Sequence, residues 1–327
     1  MVTQWKETTT TKLVNGPVLM KRKLYQLLCG ARPRLVILFA LFTGLVYFSL
    51  LNTITVKELT LGHKDDRHRT KLISSKTCHS KVNLLILVSS YVGNAARRKE
   101  IRFTWGTDFL PSLRWRTVFL IGANDNQEEM RLMAAEDRLY GDLITSEYRE
   151  GFFNMSYKVA MGFEWAMRYC PFDFMLKSDD DVFVNPYAML QYLAKSAPRS
   201  NLYMGNLMIN SPVLRSGRYA VSGQELSKTY FEPYCSGGGI LMSSDVVRKF
   251  MEFYDVQAPL KIDDAYLGEL AKKAGVPVKE NGNFRMYEDS CVFRNWTLVQ
   301  HPAKGDCLQK LYKGLQDVLS TYDLYSI

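Results

Sequence analysis

Residues 35–56 contain no charged side chain, and this run constrains the chain more than any other feature. As a helix, its 22 residues would extend about 33 Å, enough to cross a hydrocarbon core. The run is longer than the apolar region of a cleaved signal peptide, and it begins only after 34 residues. The preceding stretch holds seven basic residues, including Lys21, Arg22, Lys23, Arg32 and Arg34, against the single acidic Glu7. Positive charge flanking one end keeps that end in the cytoplasm. The expected organisation is a cytoplasmic tail (1–34), a transmembrane signal anchor (35–56), a polar stem (57–81) and a luminal domain (82–327).

This placement reinterprets the net charge. The chain carries +9, of which +6 lies in the tail and only +3 in residues 57–327. The excess is therefore an orientation signal and not a nucleic-acid surface, so no nucleic-acid partner is expected. With 47% hydrophobic and 23% charged residues the remainder has globular composition, which excludes a disordered or collagen-like chain.

A lumen is oxidising and receives N-glycans. Two acceptor triplets, Asn154-Met155-Ser156 and Asn295-Trp296-Thr297, agree with that compartment. Asn154 also stands where it can cap the helix that follows. Five cysteines lie beyond the anchor, so at least one has no partner within the domain. Spacing favours a Cys291–Cys307 bridge.

Within the domain, residues 82–88, 117–122 and 172–177 are short apolar runs that suit strands buried on both faces. Residues 95–105 read as a helix bearing Arg97, Arg98 and Arg102. Val159, Phe163, Ala166, Met167 and Cys170 recur at helical spacing until Pro171. Alternating strands and helices imply an α/β fold with a mainly parallel sheet.

Directly after the third apolar run come Asp179, Asp180 and Asp181. A solvated turn needs no more than one or two such residues. Three adjacent carboxylates repel one another, and a cation relieves that repulsion. Carboxylate oxygens suit Mg²⁺ or Mn²⁺, and ligands of open α/β sheets bind at the carboxyl ends of strands. The pattern points to a metal-bound nucleoside diphosphate. A second acidic pair, Asp263-Asp264, opens a helix whose apolar stripe is Leu267, Leu270, Ala271 and Ala274. One aspartate suffices for a cap, and the helix dipole is expected to lower the carboxyl pKa.

These residues carry a resemblance. The blocks are Arg97-Arg98-Lys99-Glu100-Ile101-Arg102-Phe103-Thr104-Trp105-Gly106, Phe153-Asn154-Met155-Ser156-Tyr157-Lys158 and residues 177–185. Tyr234-Cys235-Ser236-Gly237-Gly238-Gly239 and Ile262-Asp263-Asp264-Ala265-Tyr266-Leu267-Gly268 complete the set. Their content and order resemble the β-1,3-galactosyltransferases and β-1,3-N-acetylglucosaminyltransferases of the Golgi. The resemblance implies a GT-A fold, a mixed sheet flanked by helices. It also implies a UDP-sugar donor, Mn²⁺, and transfer of a hexose in β-1,3 linkage with inversion to a glycan on glycoprotein or glycolipid. It makes Asp181 the principal metal ligand, with Asp179 and His301 completing the shell, and Asp179 and Asp180 supporting the ion and the ribose. Asp264 becomes the catalytic base.

Other donor contacts follow from residue chemistry. Arg97, Arg98 and Arg102 are candidates for the uridine or diphosphate, the alternative being a solvated basic helix face. Lys177 adjoins the acidic turn, Tyr234 offers a stacking face, and Gly237 and Gly238 allow close backbone approach. Asp263 completes the candidate donor contacts. Asp263-Asp264-Ala265 departs from the Glu-Asp-Val of most galactosyltransferases in the family and is closer to the N-acetylglucosaminyl branch. UDP-galactose and UDP-N-acetylglucosamine therefore both remain open. The competing reading from another class is a membrane-anchored sugar-binding or scaffolding protein that kept the fold without catalysis.

Overall fold

The structure, a computed structural model, describes Val46 and residues 76–78, 80–107 and 115–321. The tail, the anchor apart from Val46, and the stem as far as residue 75 lie outside the described residues. Among the described residues no helix is long and apolar enough to cross a membrane.

The chain builds β1 (Val82–Ser89), α1 (Ala95–Arg102), β2 (Trp115–Ala123), α2 (Gln127–Tyr140), β3 (Leu143–Arg149), α3 (Met155–Tyr169) and β4 (Phe172–Asp179). It continues with β5 (Phe183–Val184), α4 (Pro186–Lys195), β6 (Tyr203–Met208), β7 (Tyr234–Ser243), α5 (Ser244–Phe253) and α6 (Asp263–Ala274). The last elements are β8 (Val278–Glu280), β9 (Phe284–Arg285), β10 (Val299–Gln300) and α7 (Asp306–Thr321). One sheet has the order β3-β2-β1-β4-β7-β6-β8. Strands β1 to β4 are mutually parallel, whereas β7 runs antiparallel to both β4 and β6, so the sheet is mixed. A small second sheet has the order β5-β10-β9.

Burial explains the apolar runs. Leu85 and Leu87 of β1 face a core formed with α3, α5 and α6. Leu84, Ile86 and Val88 face the opposite core, shared with α1, α4 and α7. A strand covered on both faces has no polar side to display. Local signals set the ends of the helices. Asn126 Oδ1 accepts from the backbone N–H groups of Glu128 and Glu129, and Asn185 Oδ1 accepts from Ala188 N–H. Gly275, with φ of 65°, closes α6 in the left-handed conformation.

Several local expectations need correction. Helix α1 stops at Arg102 rather than 105, and the Thr104 hydroxyl donates to the Glu100 carbonyl at 2.7 Å just past its end. Asn154 does not cap α3, because its side-chain amide donates instead to the Arg149 carbonyl at 2.7 Å. Residues 76–78, read as stem, belong to the folded unit. Trp165 Nε1 donates to the Lys76 carbonyl at 2.9 Å, and Cys78 is bonded to Cys170. Cys291 and Cys307 form the second disulfide, as their spacing suggested, and Cys235 is free and buried.

Candidate active site

The antiparallel pairing of β4 with β7 sets Ser178 opposite Gly239, which places the acidic turn beside the glycine run. The turn then feeds β5, whose partner β10 leads directly to His301. Backbone bonds hold that junction, with Ala303 N–H donating to the Asp181 carbonyl at 2.7 Å.

The three adjacent carboxylates each engage a different basic side chain. Asp179 Oδ1 accepts from Lys177 Nζ at 3.1 Å. Asp180 is buried and accepts from Ser90 Oγ at 2.7 Å, Asn94 Nδ2 at 2.9 Å and Arg97 Nη1 at 2.9 Å. Asp181 Oδ1 lies 3.5 Å from His301 Nε2. Mutual repulsion is thus relieved by divergence. The bond to His301 holds the Asp181 carboxyl below its ordinary range, and the same bond holds His301 above the usual imidazole range. Burial raises Asp179 against the pull of Lys177.

Lys177 reaches across to the other acidic pair. Its side chain is 2% exposed, and its ammonium donates to the Gly237 carbonyl at 2.9 Å and lies 3.0 Å from Asp263 Oδ2. Burial works against its charge, but Asp179, Asp263 and Asp264 outweigh that and raise its pKa. Asp264 accepts from Gly237 N–H at 3.0 Å and Ala265 N–H at 2.8 Å. Burial, reinforced by the Asp263 charge, nevertheless pushes Asp264 up to about 7. The lowering expected from its place in the first turn of α6 is overridden by desolvation.

The glycines sit between these groups. A Cβ built on Gly237 would meet Asp264 Oδ2 and Lys177 Nζ, each at 3.4 Å. One on Gly238 would face the other way, 2.9 Å from Met286 Sδ and 3.3 Å from His301 Cβ. Tyr234, half-buried at the start of β7, packs its Cβ against Gly268 of α6.

Two candidate donor contacts are committed elsewhere. Arg98 is fully buried and donates to Glu136 at 2.8 and 2.6 Å, and also to the Tyr91 and Val92 carbonyls. Arg102 grips Asp142 at 2.7 and 2.9 Å and stacks between Phe119 and Tyr140. Both guanidiniums pin α1 to α2, Arg98 also to the segment after β1 and Arg102 to the residue before β3, so both are already engaged within the fold. Trp105 and Trp165 are core residues, each 1% exposed. Asn295 is exposed in a turn.

Among the described residues no group of three or more His, Cys, Asp or Glu side chains has metal-binding geometry. Asp181 and His301 come together, while Asp179 turns to Lys177. A carboxylate oxygen and an imidazole nitrogen, both partly exposed, fit an ion that takes its remaining ligands from phosphate and water.

A buried ion pair was missed from sequence. Lys158 Nζ lies 2.7 Å from Glu150 Oε1 and donates to the Ser90 carbonyl at 2.7 Å, while Glu150 Oε2 accepts from Gly122 N–H at 2.8 Å. This pair fixes the ends of β1, β2 and β3 beneath the acidic turn. A lysine directly before the apolar stripe of α3 was the available signal.

The chain is 33% identical over 253 residues to a rat UDP-GlcNAc:betaGal beta-1,3-N-acetylglucosaminyltransferase 7, covering 71% of this chain and 64% of that protein. It is 30% identical over 250 residues to a human UDP-GalNAc:beta-1,3-N-acetylgalactosaminyltransferase 1, covering 71% and 74%. It is 28% identical over 239 residues to a Pan paniscus Beta-1,3-galactosyltransferase 5, covering 72% and 79%. Residues 96–282, which hold the acidic turn, the glycine run and the paired aspartates, match the galactosyltransferase family, and the chain belongs to that family.

Proposed function

We propose that the protein is a GT-A enzyme that transfers a hexose or N-acetylhexosamine from a UDP-sugar to the 3-hydroxyl of a glycan, in β linkage with inversion. The relatives named above are all β-1,3-transferases but use three different donor sugars, so family membership supports the reaction class and leaves the sugar open. The observation that carries the reading is the two-sided glycine run. Gly237 faces Asp264, and Gly238 faces His301. Backside displacement needs a base on one side of the anomeric carbon and the leaving diphosphate on the other.

In this scheme Asp264 accepts the proton of the acceptor hydroxyl as its oxygen bonds to the anomeric carbon. The bond from that carbon to the diphosphate oxygen breaks, and UDP leaves. A base with its pKa near neutrality is both ionised and basic at working pH. Asp181 and His301 would hold a divalent ion such as Mn²⁺, with Asp179 adjoining; when bound, it neutralises charge developing on the diphosphate. Asp180, fixed by Ser90, Asn94 and Arg97, holds the turn in register for this role. Gly237 lets the backbone approach Asp264 and Lys177 closely, and Gly238 does the same for Met286 and His301; Lys177, Asp263 and Tyr234 line the same side as the base. The N-terminal run anchors the domain in the Golgi membrane, with Asn295 a better placed glycan acceptor than Asn154.

The test is a donor screen. Purified protein is incubated with each UDP-sugar, β-linked acceptors, and either Mn²⁺ or a chelator. Metal-dependent UDP release with a β-1,3-linked product, identified by NMR, is expected. Absence of transfer from every donor would contradict the proposal.

A further inference from the structure

The connection between β6 and β7, residues 209–233, is long for a compact domain, and loops of that length are usually functional. Val213 and Val221 bury themselves in the core over α3, α5 and α6. Arg215 braces the loop by donating to the carbonyls of Val221, Leu226 and Lys228. The rigid base so formed carries Arg218 and Tyr219 to Phe152, beyond the end of β3.

There they form an aromatic cluster. Phe152 lies 5.3 Å from Tyr219 and 5.3 Å from Phe153, edge to face in both cases. The Arg218 guanidinium sits 4.4 Å over Phe152, and Lys261 Nζ sits 5.2 Å over Phe153. Despite these contacts Phe153 remains 53% exposed and Tyr219 51% exposed. Two half-exposed rings held together in one braced cluster form an open aromatic patch, the kind of surface that binds a partner with an apolar face.

The cluster is tied to the base. Ser156, just after Phe153, donates its hydroxyl to the Leu260 carbonyl. Lys261 precedes Asp264 by three residues, a chain reach of about 11 Å at most. The cluster therefore lies against the segment that leads into α6 and Asp264. An acceptor must approach from that side for its hydroxyl to meet the base.

We propose that Phe153 and Tyr219 form a subsite for the acceptor oligosaccharide, holding the sugar next to the one that reacts; this rests on Asp264 being the base. The C–H face of a pyranose stacks on an open aromatic ring, and Arg218 at the rim offers N–H donors to hydroxyls. An acceptor of one sugar places its only ring at Asp264 and gains nothing from the platform. One of two or more sugars reaches it.

The experiment compares methyl β-galactoside with the disaccharide N-acetyllactosamine as acceptors for the full chain, using whichever UDP-sugar supports transfer. The disaccharide is expected to have the higher kcat/KM. Phe153→Leu and Tyr219→Ala should lower that preference by about five- to tenfold, mainly through KM. Calorimetry with UDP reports whether each variant is folded. An unaltered preference in folded variants overturns the subsite. If no donor supports transfer, the proposed reaction fails, and the subsite is tested by saturation-transfer NMR with the disaccharide. A disaccharide signal with the unsubstituted protein that disappears in Tyr219→Ala supports the subsite. No signal with the unsubstituted protein, or an equal signal in the variant, overturns it.

Discussion

Lys177 Nζ stands 3.0 Å from Asp263 Oδ2 and thereby ties the strand that carries the acidic turn to the helix that opens with Asp263 and Asp264. The contact is ionic and out of line for a hydrogen bond, since Asp263 Oδ2 has no hydrogen-bonding partner. The Lys177 ammonium is the shared counter-charge of Asp179, Asp263 and Asp264.

Removing that charge leaves buried carboxylates facing one another. Lys177→Met is expected to destabilise the fold by about 3–5 kcal/mol at neutral pH, as breaking a buried pair does. Urea denaturation measures it. The loss should shrink at acid pH, where the carboxylates take up protons. A loss below about 1 kcal/mol at neutral pH would contradict the linking role.

Asp264 supplies a pH prediction with a definite sign. Its folded pKa, about 7, lies above the roughly 3.9 of an unfolded aspartate. The folded state thus binds a proton that the unfolded state has released, and stability falls as pH rises from about 4 through 7. Asp264→Asn has no such cost. Its Tm should exceed that of the unsubstituted protein at pH 8 and converge with it near pH 4. For the unsubstituted protein, kcat/KM should fall below about pH 7 as the base takes up its proton.

Gly268 controls how closely α6 sits on β7. A Cβ there would come within 2.6 Å of Tyr234 Cβ and 2.8 Å of the Pro233 carbonyl oxygen. Backbone cannot yield as a flexible side chain does, so Gly268→Ala should cost about 1–3 kcal/mol. Because the displaced helix carries Asp264 and not His301, kcat should drop more than UDP affinity. Steady-state kinetics and calorimetry separate the two.

Cys235 is completely buried, and burial pushes its thiol well above the ordinary range. It should resist alkylation in the native protein and react on unfolding without reductant, while Cys78, Cys170, Cys291 and Cys307 remain blocked. Peptide mapping after labelling checks this.

The acidic turn, the helix opened by Asp263-Asp264 and their order were legible in the sequence because each pattern is local. Residues 172–177 read as a buried strand because they are covered on both faces, and Asp263-Asp264 stood out as one aspartate more than a cap requires. The fates of Arg98 and Arg102 were not legible. Their partners Glu136 and Asp142 lie about forty residues downstream, and only the packing of α2 brings them close. The divergence of Asp179, Asp180 and Asp181 was hidden for the same reason, since Ser90, Asn94 and His301 come from distant segments. Burial raised Asp264 where local helix electrostatics predicted lowering, because desolvation is a property of the whole fold.

The proposed role of Asp264 as the base opposite Asp181 and His301 is tested most directly by Asp264→Asn, with UDP affinity measured in the presence of Mn²⁺ alongside single-turnover transfer. The amide keeps an oxygen to accept from Gly237 N–H. UDP affinity should stay within about twofold while transfer falls by about 10²–10⁴-fold, the usual range for losing a general base. Transfer at near-normal rate by the folded variant would contradict the assignment.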